Sequence, residues 1–276
     1  MKVWHFHLIV CFSVSLLFPS TSLGQRQQIK EAMELFNEGQ LTNAKQLIDD
    51  VVASKRARNN PNVWFAQGYI YTEFFRLHRQ ADTLLKMREV AYHGFTKFLD
   101  MDYPSEFREK VDKKMMFLAT SYYGDAMRAV KEGKPERAEN YYQWYRKCAE
   151  PVGDTYGKLG AEFEQRYRLA LAEHYWNLTG NDHQGEHFLV KIRSNYSSVL
   201  SQNPGHPEAN YRLSLLFYRQ ATGEWPCSLH ESDYLLKQAR IHLDRVNREN
   251  YHEQVQVLRQ KLEEQENKFL NVRGQK

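Results

Sequence analysis

The sequence predicts an all-α fold, a solenoid of about five helical hairpins followed by a C-terminal capping helix. Three observations predict it. Trp64, Gln67, Gly68 and Tyr71 stand at spacings of three, one and three. On a helix that spacing makes one stripe, because residues three and four apart share a face. The same spacing returns at Asn210, Leu213, Ser214 and Phe217, and prolines at 61, 104, 151 and 204 mark off lengths of 43, 47 and 53 residues. Gly inside a helix costs roughly 1 kcal/mol relative to Ala, so Gly68 implies that a neighbouring backbone approaches there.

The elements follow in chain order. The first unit spans 28–61, with Met33 and Phe36 on its first helix, Gly39 in the turn, and Ala44, Ile48 and Val51 on the second. The second spans 62–104. Its first helix runs from the Trp64 stretch through Phe74, Phe75 and Leu77, an insertion follows, and Ala91, Phe95 and Phe98 mark the second helix. The third spans 112–151, with Tyr122 and Ala126, a turn at Gly133, Pro135 at a helix start, and Ala138, Tyr142 and Tyr145. Proline suits that position because its missing N–H has no partner to lose in the first turn. The fourth spans 160–204: Leu169, Ala172 and Trp176 share a face, a polar loop runs from Asn177 to Gly185, and Ile192, Tyr196 and Val199 follow. The fifth spans 207–250, with the second copy of the stripe, a turn from Thr222 to Pro226, and Ala239, Leu243 and Val246. The last segment, 251–276, places Val255, Leu258 and Leu262 on one face with charges elsewhere. Such a polar-backed helix suits the end of an array.

The Trp64–Tyr71 stretch resembles the W-x2-L-G-x2-Y signature of tetratricopeptide (TPR) repeats. Three of the five units carry a clear second-helix pattern, a small residue followed by large ones at plus four and plus seven, that is similar to that family's. The resemblance covers roughly residues 28 to 250 and implies a right-handed superhelix with a concave inner face. The proline spacings exceed the family's roughly 34-residue period, which bears on the regularity of the superhelix rather than on its hairpins; another α-solenoid is the alternative.

Residues 1–24 read as a cleaved secretory signal. Lys2 gives a positive start, Leu8 to Phe18 is apolar, and Ser22-Leu23-Gly24 places small residues at the cleavage positions before Gln25. An uncleaved anchor is the alternative, but Ser13, Ser15 and Ser20 interrupt or bound the run, and a span needs about 20 apolar residues. The address expected is the periplasm or the exterior of a bacterial cell. Cleavage leaves Cys148 and Cys227, which either pair or stay separate thiols. A formal charge of +4 on 276 residues, without a basic run carrying interleaved rings, argues against nucleic acid.

Little in the sequence points to catalysis. His183-Gln184-Gly185-Glu186-His187 matches the H-x-x-E-H zinc-protease pattern, but Gly185 and the preceding Thr179-Gly180-Asn181-Asp182 mark a turn rather than the rigid helix that two His ligands need. No phosphate loop, nucleotide fingerprint or G-x-S-x-G is present. Neither a catalytic residue nor a cofactor is therefore expected. Asn177-Leu178-Thr179 and Asn195-Tyr196-Ser197 fit the glycosylation pattern, without meaning in a bacterial host. The resemblance implies a partner groove along the first helices of the hairpins. It places there Phe65, Tyr69 and Glu73, then Tyr123, Met127 and Lys131, then Tyr211, Leu215, Tyr218 and Arg219. These residues suit a protein or peptide partner, since Tyr and Arg bury area while keeping a polar tip. A stacked glycan is the alternative ligand. The family's carboxylate clamp uses Lys and Asn at these places, which Phe65 and Tyr69 do not match.

Overall fold

The computed structural model describes residues 20–55, 57–78, 85–101, 103, 105–179, 185–223, 229–246 and 252–273. Residues 1–19, Pro104, His183 and Cys227, on which sequence expectations rest, lie outside them. The described residues form eleven α-helices, three short 3-10 turns and no strand. The α-helices are α1 (Ser20–Asn37), α2 (Leu41–Ala53), α3 (Pro61–Leu77), α4 (Leu85–Leu99), α5 (Arg108–Lys131), α6 (Pro135–Ala149), α7 (Gly157–Thr179), α8 (Gly185–Gln202), α9 (Pro207–Ala221), α10 (Leu229–Asp244) and α11 (His252–Arg273). Among the described residues no helix is long and apolar enough to cross a membrane.

The chain divides into two compact units. Met1–Tyr122 joins Gln143–Gly153, and Tyr123–Tyr142 joins Asp154–Lys276. In the first unit α1 packs on α2, and Ala32, Ala44, Ile48 and Val51 of these helices are buried. Gly39 turns the chain between them at φ 79°, a left-handed conformation that side chains disfavour. Asn60 caps α3 by accepting from the Asn62 amide at 3.1 Å, and Pro61 takes the first helical position. Ten residues of α3, including the whole Trp64-Gln67-Gly68-Tyr71 stripe, are buried. A helix hidden on so many sides belongs in a core.

The close approach expected at Gly68 is present, and its partner is a second glycine. A Cβ on Gly94 would stand 2.9 Å from the Gly68 nitrogen and 2.9 Å from the Trp64 carbonyl oxygen. Tyr71 ties α3 to α2 by donating to Asp49 at 2.6 Å. Arg88 is 2% exposed, with its guanidinium 3.8 Å from the Tyr122 ring centroid and 4.8 Å from that of Phe75.

In the second unit, Tyr142 and Tyr167 stack at 3.9 Å, and each hydroxyl donates to a carboxylate, Tyr142 to Glu164 and Tyr167 to Glu139. Helices α7 and α8 pack as a pair, as do α9 and α10. Asn210 meets His242 and Ser214 meets the Ala239 carbonyl, so α9 and α10 run antiparallel. Arg240 meets Glu266 and Asp244 meets Arg259, so α10 and α11 are antiparallel as well. Two reversals make α9 and α11 parallel. The expected stripe Val255, Leu258 and Leu262 is buried on α11.

Some boundaries depart from expectation. Helix α7 continues through Thr179, where a loop was expected from Asn177; Thr179 donates its hydroxyl to the Trp176 carbonyl, satisfying a group at the helix end. Gly185, Glu186 and His187 open α8 instead of lying in a turn. The C-terminal helix α11 runs on to Arg273.

Candidate functional site

The ten residues expected to line a groove do not share one fate. Phe65 is a correction: it is buried, its ring against Phe98, Phe107 and Tyr69 at 5.5, 4.8 and 5.4 Å. Phe107 sits in a short 3-10 turn, Ser105–Phe107, that precedes α5 and covers this position. Tyr69 is half-buried between Phe65 and Phe36, and Lys114 lies 4.4 Å from its ring centroid. Lys114 also pairs with Glu73, which a second cation, Arg76, bonds at 2.5 Å. Burial opposes the charge on Glu73, but the two cations outweigh it and hold the carboxyl below its ordinary value. Glu73 is thus engaged within its own unit.

On α5, Tyr123 stacks on Phe163 at 4.2 Å and 8° and is half-buried, and burial raises its hydroxyl pKa. Met127 is half-buried, and Lys131 is exposed in the last helical turn. The four residues on α9 behave as a group. Tyr211, Leu215, Tyr218 and Arg219 are all partly exposed and line one cavity of about 490 Å³. They form one face because they fall at i, i+4, i+7 and i+8 of the same helix.

Helix α11 supplies the opposite wall through Glu253, Gln254, Val257, Leu258 and Lys261. The sequence reading took this helix only as a cap. The signal that it also lines a groove was available: Glu253, Val257 and Lys261, spaced four apart, form a second stripe beside the buried one. Val257 is 49% exposed, an apolar side chain in the groove wall. Arg219 is braced by the Trp176 ring of α7, 5.3 Å away. Arg212 lies 5.6 Å from that ring and pairs with Glu173 at 3.7 Å.

The groove therefore offers two phenols, an apolar floor, two cations and one carboxylate. This mixture suits a surface that buries an apolar side chain while bonding a polar chain at its rim. A second cavity in the same unit, of about 470 Å³, is lined in part by Lys131 and His174. Among the described residues no group of three His, Cys, Asp or Glu is placed to hold a metal. The Cys148 thiol is buried and pushed up to about 12, opposite to the activation a nucleophile needs. Comparison with models of known protein families and with curated proteins finds no match to this chain.

Proposed function

We propose that the chain is a non-catalytic protein-binding scaffold of the bacterial cell envelope, built as a TPR-like array and exported by residues 1–24. The observation that carries this reading is the α9–α11 groove. Four residues chosen for a partner surface from the hairpin pattern line it together. Its occupant is an extended or helical segment of another protein, with an apolar side chain over Leu215 and Val257 and polar contacts to Tyr211, Tyr218 and Lys261. The TPR-like reading is further supported by the helical pairs and by the buried Trp64 stripe with its glycine crossing.

The test is cross-linking mass spectrometry on intact cells carrying a tagged full-length chain. Links that concentrate on α9 and α11 and lead to one protein support the scaffold. Links scattered over α8 and α10, or none to any protein, count against it. A glycan is the second reading, favoured by the presence of Tyr211 and Tyr218 in one cavity, since both phenols can stack on a sugar ring. Sugar binding by the mature chain, lost in Tyr211→Ala, would replace the protein partner with that ligand.

A further inference from the structure

The second cavity is distinct in chemistry from the α9–α11 groove. Its floor is apolar, formed by Val130, Leu169 and Ala170. Its rim carries Lys131 at the end of α5 and Glu208 in the first turn of α9. Lys131 and Glu208 make neither an ion pair nor a side-chain hydrogen bond with any described residue, including each other. The third charge at the rim, Glu173, is already met by Arg212. The helix dipoles favour a cation where Lys131 stands and an anion where Glu208 stands. That accounts for each charge alone, but not for both opening onto one cavity with an apolar floor.

The lining also includes two neutral polar groups, the His174 ring and the Asn177 amide. His174 is half-buried, and burial lowers its pKa below the usual 6.5. At neutral pH it can therefore accept one hydrogen bond and donate another. The α5–α6 turn closes over it, since a Cβ on Gly133 would lie 3.7 Å from His174 Cε1. A volume of about 470 Å³ is within the range of small-molecule sites and exceeds a single apolar side chain.

We infer that this cavity binds a short zwitterionic peptide, its carboxylate on Lys131 and Asn177, its ammonium on Glu208 and its apolar side chain on Leu169 and Val130. Opposite charges that share a cavity without pairing are complementary to a ligand that carries both charges at once. Each such contact is a charge-assisted hydrogen bond, stronger than a neutral one. This site is separate from the proposed protein-binding groove, and neither depends on the other.

The experiment is isothermal titration of the full chain with L-alanyl-L-leucine, its N-acetyl form and its C-terminal amide. The expected result is binding of the free dipeptide and at least about tenfold weaker binding of each blocked form. Lys131→Gln and Glu208→Gln should each weaken the free dipeptide about tenfold, with helical circular dichroism unchanged. Tyr211→Ala, in the other groove, should leave its affinity as in the unsubstituted chain. The inference is overturned if the dipeptide gives no binding, or if blocked and free forms bind alike. It is equally overturned if both charge variants bind as tightly as the unsubstituted chain, or if Tyr211→Ala weakens binding as much as they do.

Discussion

One methyl group added at Gly94 should weaken the chain, whereas the same methyl at Gly124 should strengthen it. Both glycines lie inside helices, so each substitution by Ala gains about 1 kcal/mol of intrinsic helix propensity. At Gly124, partway along α5 and exposed, a Cβ meets nothing within 4 Å, and that gain is retained. At Gly94 the Cβ would meet backbone atoms at 2.9, 2.9 and 3.2 Å, where ordinary contact begins at 3.4 Å. Backbone cannot rotate aside as a side chain can, so α3 and α4 must part by roughly half an ångström. Trp64, Phe95 and Phe98, at 5%, 0% and 0% exposure, fill the space around that crossing. Overpacking of this kind costs about 1–3 kcal/mol, and separating the helices forfeits dispersion contacts as well. The expected net effect of Gly94→Ala is a loss of about 2 kcal/mol, so the two variants should differ by about 3 kcal/mol. Urea unfolding followed by circular dichroism reads this difference directly in the midpoints. A midpoint for Gly94→Ala at or above that of the unsubstituted chain would refute the glycine crossing as the determinant of α3–α4 packing. Equal losses at both positions would refute it too, by showing that helix propensity and local contacts do not separate the sites.

Three further outcomes follow from particular contacts. Tyr71→Phe should lower stability by about 1 kcal/mol, through loss of the hydrogen bond to the half-buried Asp49, measured by the same urea titration. Cys148 should resist alkylation at pH 8 in the folded chain and react once urea unfolds it, because burial holds the thiol neutral up to about 12; peptide mapping of the modified residue reads this. His242 has its pKa lowered below 6.5, first by burial and then by Arg245, so the unfolded chain binds the proton more readily than the folded one. Its contribution is complete above pH 6.5 and declines as pH falls through that value, so His242→Gln should flatten the loss of stability between pH 7 and pH 5.5.

Local patterns reached the helices and most of their buried faces. The Trp64 stripe, the small-large-large stripes of the second helices and the turn glycines at 39 and 133 depend on neighbours within one or two turns of the same chain segment. Gly94 was not singled out because nothing local distinguishes it; its role exists only when α4 lies on α3. Phe65 was misplaced for a related reason. A repeat template puts it on the inner face, but Phe107, more than forty positions away, arrives from an irregular turn that no template contains. Lys114 escaped notice similarly, since its partners Tyr69 and Glu73 lie on a different helix. The four residues expected on α9 line one cavity together because they share one face of one helix. Its opposite wall was missed because reading α11 as a cap considered only what that helix buries, not what its next stripe presents.

The account stands most directly on whether the α9–α11 groove holds another protein. A photo-activatable phenylalanine analogue placed at Leu215, and separately at Val190 on α8, tests this in living cells. Val190 is 69% exposed and lies outside the groove, so it reports non-specific encounters. The account predicts a discrete protein adduct at position 215 that is absent at 190 and is suppressed by Tyr211→Ala. Identical adducts at both positions, or none at 215, would contradict it.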